Sequence, residues 1–308
     1  VYRWTNGSLT RIARTGQANS GSFFDGFSWP SLNEAGDVAF VGFLDADDQG
    51  IYRRRGAQLT RIAFTGDESP AGWIIEDFSP VAGVAINEAG QVAFRAIVDP
   101  PFCCGRDDVI YLGDGGALTR LAFSGQAVPG GGFVPQAINR NLALNNRGQV
   151  VFAGSTSNGN SAIYRAEAGR ILRIAYEDGP VPGSPSQTFT NLAGFDFAIN
   201  DRGHVAFTAR FDNGSDAVLG LFLYIDGTGL VRIIEEDVPF LGSFVDTVNF
   251  VGTNPSDWRA REPTGLDARG NVAFRFRLSD GRQGVAVYQN RVIFADDFES
   301  GNVDRWSL

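Results

Sequence analysis

The chain has few of the residue types that common metal, redox and membrane sites require. Among its 308 residues it has no Lys, no Met, one His and two Cys, so all 26 basic side chains are Arg. Zinc sites are built mainly from Cys and His, and we expect no zinc ion and no cofactor. No apolar run approaches the roughly 18 residues that a membrane-spanning helix needs. We therefore expect no membrane insertion.

The start of the chain and its charge bear on location and partners. The first residue is not Met, which favours a secreted chain whose signal peptide has been removed, although trimming of the sequence would have the same effect. We expect an extracellular or cell-surface location. The net charge of −9 repels phosphate backbones, so nucleic acid is not an expected partner.

Cys103 and Cys104 are the only cysteines, and they are adjacent. An even number of cysteines in an exported chain favours a disulfide. Consecutive Cα atoms lie about 3.8 Å apart, however, which is closer than disulfides usually span. A vicinal disulfide and a pair of free or intermolecular thiols both remain open.

The most informative feature is an octapeptide that recurs five times. Its copies pair Asn or Asp with Gly three residues later, as Asn33 and Gly36, Asn87 and Gly90, Asn145 and Gly148, Asn200 and Gly203, and Asp267 and Gly270. An Asn or Asp side chain can accept from the backbone that follows, and Gly can take the positive φ that reverses the chain. Each copy continues as Val-Ala-Phe or Val-Val-Phe, which is typical of a strand. The octapeptide therefore predicts a hairpin.

A second unit follows each octapeptide, and one more copy opens the chain. It consists of an apolar residue with Tyr, a polar turn, and a strand resembling Leu-Thr-Arg-Ile-Ala. The Tyr and Arg pairs are Tyr2 and Arg11, Tyr52 and Arg61, Tyr111 and Arg120, Tyr164 and Arg173, and Tyr224 and Arg232, with Tyr288 in a last copy that lacks the Arg. We place these Arg residues on outermost strands, where a charge discourages edge pairing.

The spacing of the repeat indicates the architecture. The octapeptide glycines are separated by 54, 58, 55 and 67 residues, a period that suits the four-stranded blades of a β-propeller. We predict an all-β propeller of five four-stranded blades over residues 1–295, followed by a C-terminal tail at 296–308.

The octapeptide resembles the signature Asn-x-x-Gly-x-x-Ala-Phe of the choice-of-anchor tandem-repeat proteins. The resemblance covers residues 1–295 and rests on five copies. It implies a bacterial, exported protein that is retained at the cell surface by varying means, and it implies no catalytic residues. The stretch from Ala295 also looks like a C-terminal segment of many exported bacterial proteins.

The number of hairpins is odd. Five octapeptide hairpins and six Tyr/Arg hairpins make one more than five closed blades need, so residues 1–13 or 285–295 are surplus. An unpaired edge is a template for another chain, which suggests that the surplus hairpin docks on a second copy and builds a filament. The alternatives are a degenerate sixth blade around Asn19 to Trp29, or a terminus packed on its own subunit.

Candidates for chemistry are weak. Asp196 and Glu262 break the repeat where a propeller glycosidase places its carboxylates, and Asp45, Asp47 and Asp48 form an acidic loop that resembles a calcium site without its usual spacing. The sole histidine, His204, aligns with Asp, Gln and Asn in the other copies, so its position does not require imidazole. We expect a non-enzymatic structural or interaction protein that self-assembles. A monomeric binding module for a glycan or protein is the alternative, and a glycosidase is a remote one.

Overall fold

The computed structural model describes residues 1–290 except positions 20, 29, 71, 79–82, 101–104, 130, 136, 156–159, 193, 195, 215 and 253–263. Within this part the chain forms 28 β-strands and one short 3-10 helix at Asp45–Asp47. Every pairing between these strands is antiparallel. No helix in the described part is long and apolar enough to cross a membrane.

The strands form one hairpin and five larger sheets in chain order, which we call the N-terminal hairpin and blades 1 to 5. The N-terminal hairpin contains β1 (Tyr2–Thr5) and β2 (Ser8–Arg11). Blade 1 contains β3 (Ala18–Asn19), β4 (Ser22–Phe27), β5 (Ser31–Leu32), β6 (Val38–Leu44), β7 (Gln49–Arg55) and β8 (Gln58–Phe64). Blade 2 contains β9 (Glu68–Ser69), β10 (Trp73–Asp77), β11 (Ala85–Ile86), β12 (Val92–Asp99), β13 (Asp107–Gly113) and β14 (Thr119–Phe123). Blade 3 contains β15 (Ala137–Leu144), β16 (Val150–Ser155), β17 (Ser161–Glu167) and β18 (Arg170–Tyr176).

The last two blades repeat this plan. Blade 4 contains β19 (Pro180–Val181), β20 (Ser184–Asn191), β21 (Phe197–Ile199), β22 (Val205–Asp212), β23 (Ala217–Ile225) and β24 (Gly229–Glu235). Blade 5 contains β25 (Pro239–Phe240), β26 (Ser243–Phe250), β27 (Val272–Leu278) and β28 (Gln283–Tyr288). The all-β propeller architecture predicted from the repeat is confirmed.

Each octapeptide begins the second main strand of its blade, and the Tyr unit forms the third and fourth. In blade 1, β4 and β5 both pair with β6, so together they serve as one interrupted first strand. Residues 22–27 therefore belong to blade 1 and are not the inner hairpin of a degenerate sixth blade. The N-terminal hairpin corresponds to a third and fourth strand alone, since Tyr2 lies opposite Arg11 as Tyr52 lies opposite Arg61.

The hydrophobic core lies between consecutive blades. The face of blade 1 that carries Ala39, Val41 and Ile51 packs on Phe94 and Tyr111 of blade 2. Four further clusters join the hairpin to blade 1, blade 2 to 3, blade 3 to 4 and blade 4 to 5. Among the described residues no core cluster joins blade 5 to the N-terminal hairpin. Hydrophobic clusters therefore join consecutive units along the series, and none in the described part joins its two ends.

The strand registers correct one part of the repeat alignment. In blade 4 it is Phe222, and not Tyr224, that lies opposite Phe207 and Arg232. In blade 5 it is Ala286, and not Tyr288, that lies opposite Phe274. The sequence alignment placed Tyr224 and Tyr288 at these positions, which lie two residues earlier in the structure. Residues two apart on a strand face the same side of the sheet, so the pattern of the repeat does not distinguish the two positions.

Candidate functional site

The Asn-x-x-Gly turns close in the same way in all five blades. In the first, the backbone of Asn33 bonds that of Asp37, and the Asn33 Oδ1 atom accepts from the Asp37 N–H at 2.8 Å. Gly36 has a φ of +83°, and the corresponding glycines of the other turns are also positive. A Cβ at Gly36 would also meet the Arg3 guanidinium of the preceding hairpin. Glycine is therefore required by backbone conformation and by close packing.

The turns are joined from blade to blade by the Asn side chains. Each of the first four Asn residues is buried and donates through Nδ2 to the backbone carbonyl of the corresponding residue in the next blade. The distances are 2.9 Å from Asn33 to Asn87, 3.2 Å from Asn87 to Asn145, 2.8 Å from Asn145 to Asn200 and 2.8 Å from Asn200 to Asp267. We call this series the asparagine ladder. Sequence reasoning assigned these side chains to their own turns and missed the contact with the next blade.

A second series of bonds runs beside the ladder. The N–H of Glu34 donates to Glu88, that of Glu88 to Asn146, and that of Asn146 to Asp201, always to a side-chain oxygen of the next turn at 2.8 Å. The corresponding residue in blade 5 is Ala268, which has no side-chain acceptor. Both series run in one direction, so donors point toward the C-terminal end and acceptors toward the N-terminal end.

The N-terminal hairpin contacts blade 1 in the way that one blade contacts the next. Arg3 donates through Nη1 to the carbonyl of Gly36, as Arg53 does to Gly90 and Arg165 does to Gly203. Ile12 and Ala13 are buried in the same cluster as the rings of blade 1. The hairpin thus takes the place of a blade that lacks its first two strands.

The recurring Arg residues stack on aromatic rings of their own blades. Arg173 lies 4.0 Å from the ring centre of Tyr176, and Arg120 lies 4.6 Å from the ring centres of Trp73 and Phe123. Such stacking stabilises the pair and holds the guanidinium in place.

A cavity beside Arg61, the recurring Arg of blade 1, has a volume of about 300 Å³. It is lined by residues that include Asn19, Asp48, Arg61 and Phe64. Asn19 donates to the Tyr52 hydroxyl at 2.6 Å, and burial raises the pKa of Tyr52. The cavity thus offers a carboxylate, a guanidinium and an amide beside an aromatic ring.

The acidic loop of blade 1 is not arranged as a metal centre in the described part of the chain. Asp45 accepts from Ser22 Oγ and from the Phe23 N–H at 2.7 Å, and these bonds lower its pKa. Asp48 accepts from Thr65 at 3.3 Å, and the Asp47 backbone has a φ of +62°. No group of three or more His, Cys, Asp or Glu residues in the described part is arranged to hold a metal ion.

The other sequence candidates are placed as follows. Asp196 is half-buried beside β21, where its carbonyl accepts from the Thr208 N–H at 3.0 Å. Glu262, Cys103 and Cys104 lie outside the described residues. His204 is buried at the turn of blade 4, 3.5 Å from the Asn200 amide, and burial followed by the charge of Arg202 lowers its pKa.

Large apolar side chains are exposed at both ends of the blade series. Tyr2, Trp4 and Leu9 of the hairpin are 58%, 69% and 63% exposed, whereas Tyr52 and Tyr111 at the Tyr2 position of blades 1 and 2 are fully buried. At the other end, two valines of β28, Val285 and Val287, are 72% and 57% exposed. Ile51, the counterpart of Val285 in blade 1, is 1% exposed.

The family model for DUF7453, a family of unknown function, matches residues 1–293. The chain belongs to that family. No curated protein is detectably similar to this DUF7453 member.

Several solved structures share distant likeness with it. A fungal lectin from Aleuria aurantia, described as a six-bladed β-propeller with a novel fucose recognition mode, is 12% identical, with 93% of this chain and 85% of the lectin covered and a TM-score of 0.36. The α-L-arabinanase of Penicillium chrysogenum is 12% identical, with 85% and 93% covered and a TM-score of 0.33. The GH93 α-L-arabinofuranosidase of Fusarium graminearum is 11% identical, with 90% and 95% covered and a TM-score of 0.33. At these values the likeness indicates neither a ligand nor a blade number for this chain.

Proposed function

We propose that this protein is an exported bacterial, non-enzymatic structural protein of the cell surface or extracellular space, whose subunits assemble head to tail into a filament. In this proposal five blades form the propeller body and the N-terminal hairpin is the surplus element. The exposed apolar side chains at the two ends of the blade series carry the proposal. The counterparts of Tyr2 and Val285 at internal blade interfaces are buried.

The two ends differ from each other, which favours a head-to-tail contact. The hairpin end exposes the face that carries Tyr2, and the blade 5 end exposes the face that carries Val285. Inside the chain, the face of blade 1 that carries Ile51, the counterpart of Val285, packs on the face of blade 2 that carries Tyr111. An interface between two different surfaces generates an open filament unless its rotation closes a ring. Burying large apolar side chains stabilises such a contact by about 1.5–3 kcal/mol for each fully buried side chain.

Light scattering coupled to size-exclusion chromatography, with electron microscopy of the same fractions, tests this proposal on the full chain. We expect concentration-dependent assembly that is weakened by Trp4→Ser with Leu9→Ser, and also by Val285→Ser with Val287→Ser. A matched control is Phe133→Ser, because Phe133 is 67% exposed in the connection between β14 and β15, away from both ends. A monomer at every concentration, or an equal effect of the control, would contradict the proposal.

A second candidate function is a monomeric module that binds a glycan, and the cavity at Asn19, Asp48 and Arg61 favours it. Its polar groups beside the Phe64 ring suit hydroxyl groups and the apolar face of a sugar. Calorimetry with surface polysaccharide fragments tests this candidate. Binding that is lost in Arg61→Ala and kept in Arg232→Ala, the same repeat position in blade 4, would support it.

A further inference from the structure

Two strands at opposite ends of the chain each lack one feature of the repeat. β27 has no aromatic residue opposite its Phe, and β1 has no second neighbouring strand. In blades 1 to 4 the octapeptide Phe lies opposite an aromatic residue of the third strand, with ring centres 5.2–5.8 Å apart. In blade 5 Phe274 lies opposite Ala286, so its blade has no such ring pair. In the N-terminal hairpin Tyr2 occupies the aromatic position, but β1 pairs only with β2.

We infer that β1 of one copy pairs with β27 of a second copy and displaces β28, so that Tyr2 and Phe274 form the missing ring pair. This inference rests on the proposed function, namely head-to-tail assembly, and gives it a different contact. With β28 displaced, Val285 and Val287 no longer form the face of blade 5, and the junction is made by β1 and β27. The register follows from blade 1, where Phe40 lies opposite Tyr52 and Val41 opposite Ile51. It places Phe274 opposite Tyr2 and Arg275 opposite Val1.

The sequence of the hairpin fits β27 better than the sequence of β28 does. The hairpin carries Tyr2, Arg3 and Arg11 at the positions of Tyr52, Arg53 and Arg61 in blade 1. At the corresponding positions β28 has Ala286 and Val287. Cross-strand aromatic pairs stabilise a sheet by more than their burial alone. The exchange therefore replaces β28, which lacks the aromatic residue of the repeat, with β1, which carries it as Tyr2.

A second copy is a better partner than the same chain. The hairpin is held on blade 1 by Arg3 and by the cluster around Ile12 and Ala13. Among the described residues no strand pairing and no core cluster joins β27 or β28 to the hairpin of the same chain. Pairing with a second copy leaves the first four interfaces as they are and changes only the interface between blades 4 and 5, where Ala286 and Tyr288 of β28 now pack.

The blade-to-blade bonds predict how strong this junction is. At its N-terminal end the chain offers two acceptors, the Asn33 carbonyl and the Glu34 carboxylate, in the positions that accept bonds at the later turns. At its C-terminal end the Ala268 N–H can donate to Glu34 of the next copy, but the Asp267 carboxylate has no proton to donate to Asn33. The junction therefore lacks the asparagine bond that each internal interface has.

Disulfide trapping tests the register in a chain whose native cysteines are replaced by Ser. Val1→Cys in one chain and Arg275→Cys in another should cross-link on mixing, because opposed residues on antiparallel strands lie within disulfide range. The control replaces Arg275→Cys with Arg277→Cys, two residues further along the same exposed face. We expect at least tenfold more cross-linked dimer for the first pair. Equal cross-linking of the two pairs would overturn the inference.

Two further variants test the exchange by opposite effects on assembly. Ala286→Tyr gives β28 the ring that it lacks and should lower self-association about tenfold or more. Asp267→Asn adds the missing amide donor and should strengthen self-association severalfold. Assembly without selective cross-linking, or without a response to Ala286→Tyr, would refute the strand exchange and leave the proposed function standing. A monomeric wild type at all concentrations would refute both.

Discussion

The asparagine ladder can be tested by a change of one atom. Asn145 is buried and its side chain makes four bonds. Oδ1 accepts from the N–H groups of Arg147 at 3.1 Å and Gln149 at 3.0 Å. Nδ2 donates to the Asn200 carbonyl and to Gln149 Oε1, both at 2.8 Å. Asn145→Asp keeps the two accepted bonds, and therefore the turn. It replaces the amide donor with a carboxylate oxygen that faces two acceptors.

The expected cost follows from the bonds lost. A buried acceptor left without a donor costs about 1–3 kcal/mol, and the buried charge adds to this cost. We therefore expect Asn145→Asp to lower the free energy of unfolding by about 3 kcal/mol, which corresponds to a Tm lower by about 6 °C or more. Because a protonated carboxyl can donate one bond, acidification should recover part of the loss.

The matched control is the reverse change at the end of the ladder. Asp267 is exposed, and its carboxylate accepts from the N–H groups of Arg269 and Asn271 through Oδ1 and from the Asn271 side-chain amide through Oδ2, each at 2.8 Å. Asp267→Asn keeps Oδ1 for the two backbone bonds and loses only the exposed bond from the Asn271 amide, so it should lower the free energy of unfolding of the monomer by no more than about 1 kcal/mol. Urea and thermal unfolding of dilute protein measure both variants. If Asn145→Asp costs no more than Asp267→Asn, the ladder does not stabilise the blade interfaces.

Three other changes test the packing of single residues. Burial lowers the pKa of His204, so the neutral side chain contributes fully to stability above about pH 6.5, and this contribution is lost as the pH falls through the folded pKa. His204→Gln should therefore reduce the fall in Tm between pH 7.5 and 5, and an unchanged fall would contradict this. Gly252→Ala should cost about 1–3 kcal/mol, because its Cβ would lie 2.6 Å from the backbone of β21; Gly116→Ala, which would meet only a side-chain oxygen at 3.4 Å, is the control in the same urea titration. Tyr111→Phe should cost about 1 kcal/mol through loss of the 2.7 Å bond to buried Ser69, and an unchanged unfolding midpoint would show that this bond does not contribute.

Local features of this fold could be predicted from the sequence, whereas contacts between blades could not. The Asn and Gly of each turn act within five residues, so their spacing was enough to locate five hairpins and the blade period. The Nδ2 atom of Asn33 reaches a carbonyl 54 residues away, and nothing in one octapeptide indicates that partner. The assignment of Tyr224 and Tyr288 failed because only the opposing strand distinguishes two positions on the same face.

The pairing of the two ends of the chain could also not be predicted from the sequence. Both terminal hairpins match the Tyr unit, and the sequence left open which of them completes blade 5. In the structure β28 pairs with β27 and the N-terminal hairpin is left over. The repeat pattern nevertheless favours the hairpin, since it carries Tyr2 and Arg11 while β28 carries Ala286 in place of the aromatic residue.

The replacement of Asn by Asp at the last turn bears on how an assembly would form and come apart. Were position 267 an Asn, a fifth amide would be ready to donate to Asn33 of any copy that approaches, and the junction would have the same turn bonds as the blade interfaces. With Asp267 the proposed junction would depend on the strand edge, the Tyr2 and Phe274 rings, and one N–H. A junction weaker than the internal interfaces would let subunits fold separately and join afterwards, because each internal contact would form in preference to a contact with a neighbour. In the proposed assembly the exposed Asp would therefore set the order of events: folding within the chain would come first, and association between chains would follow at higher concentration.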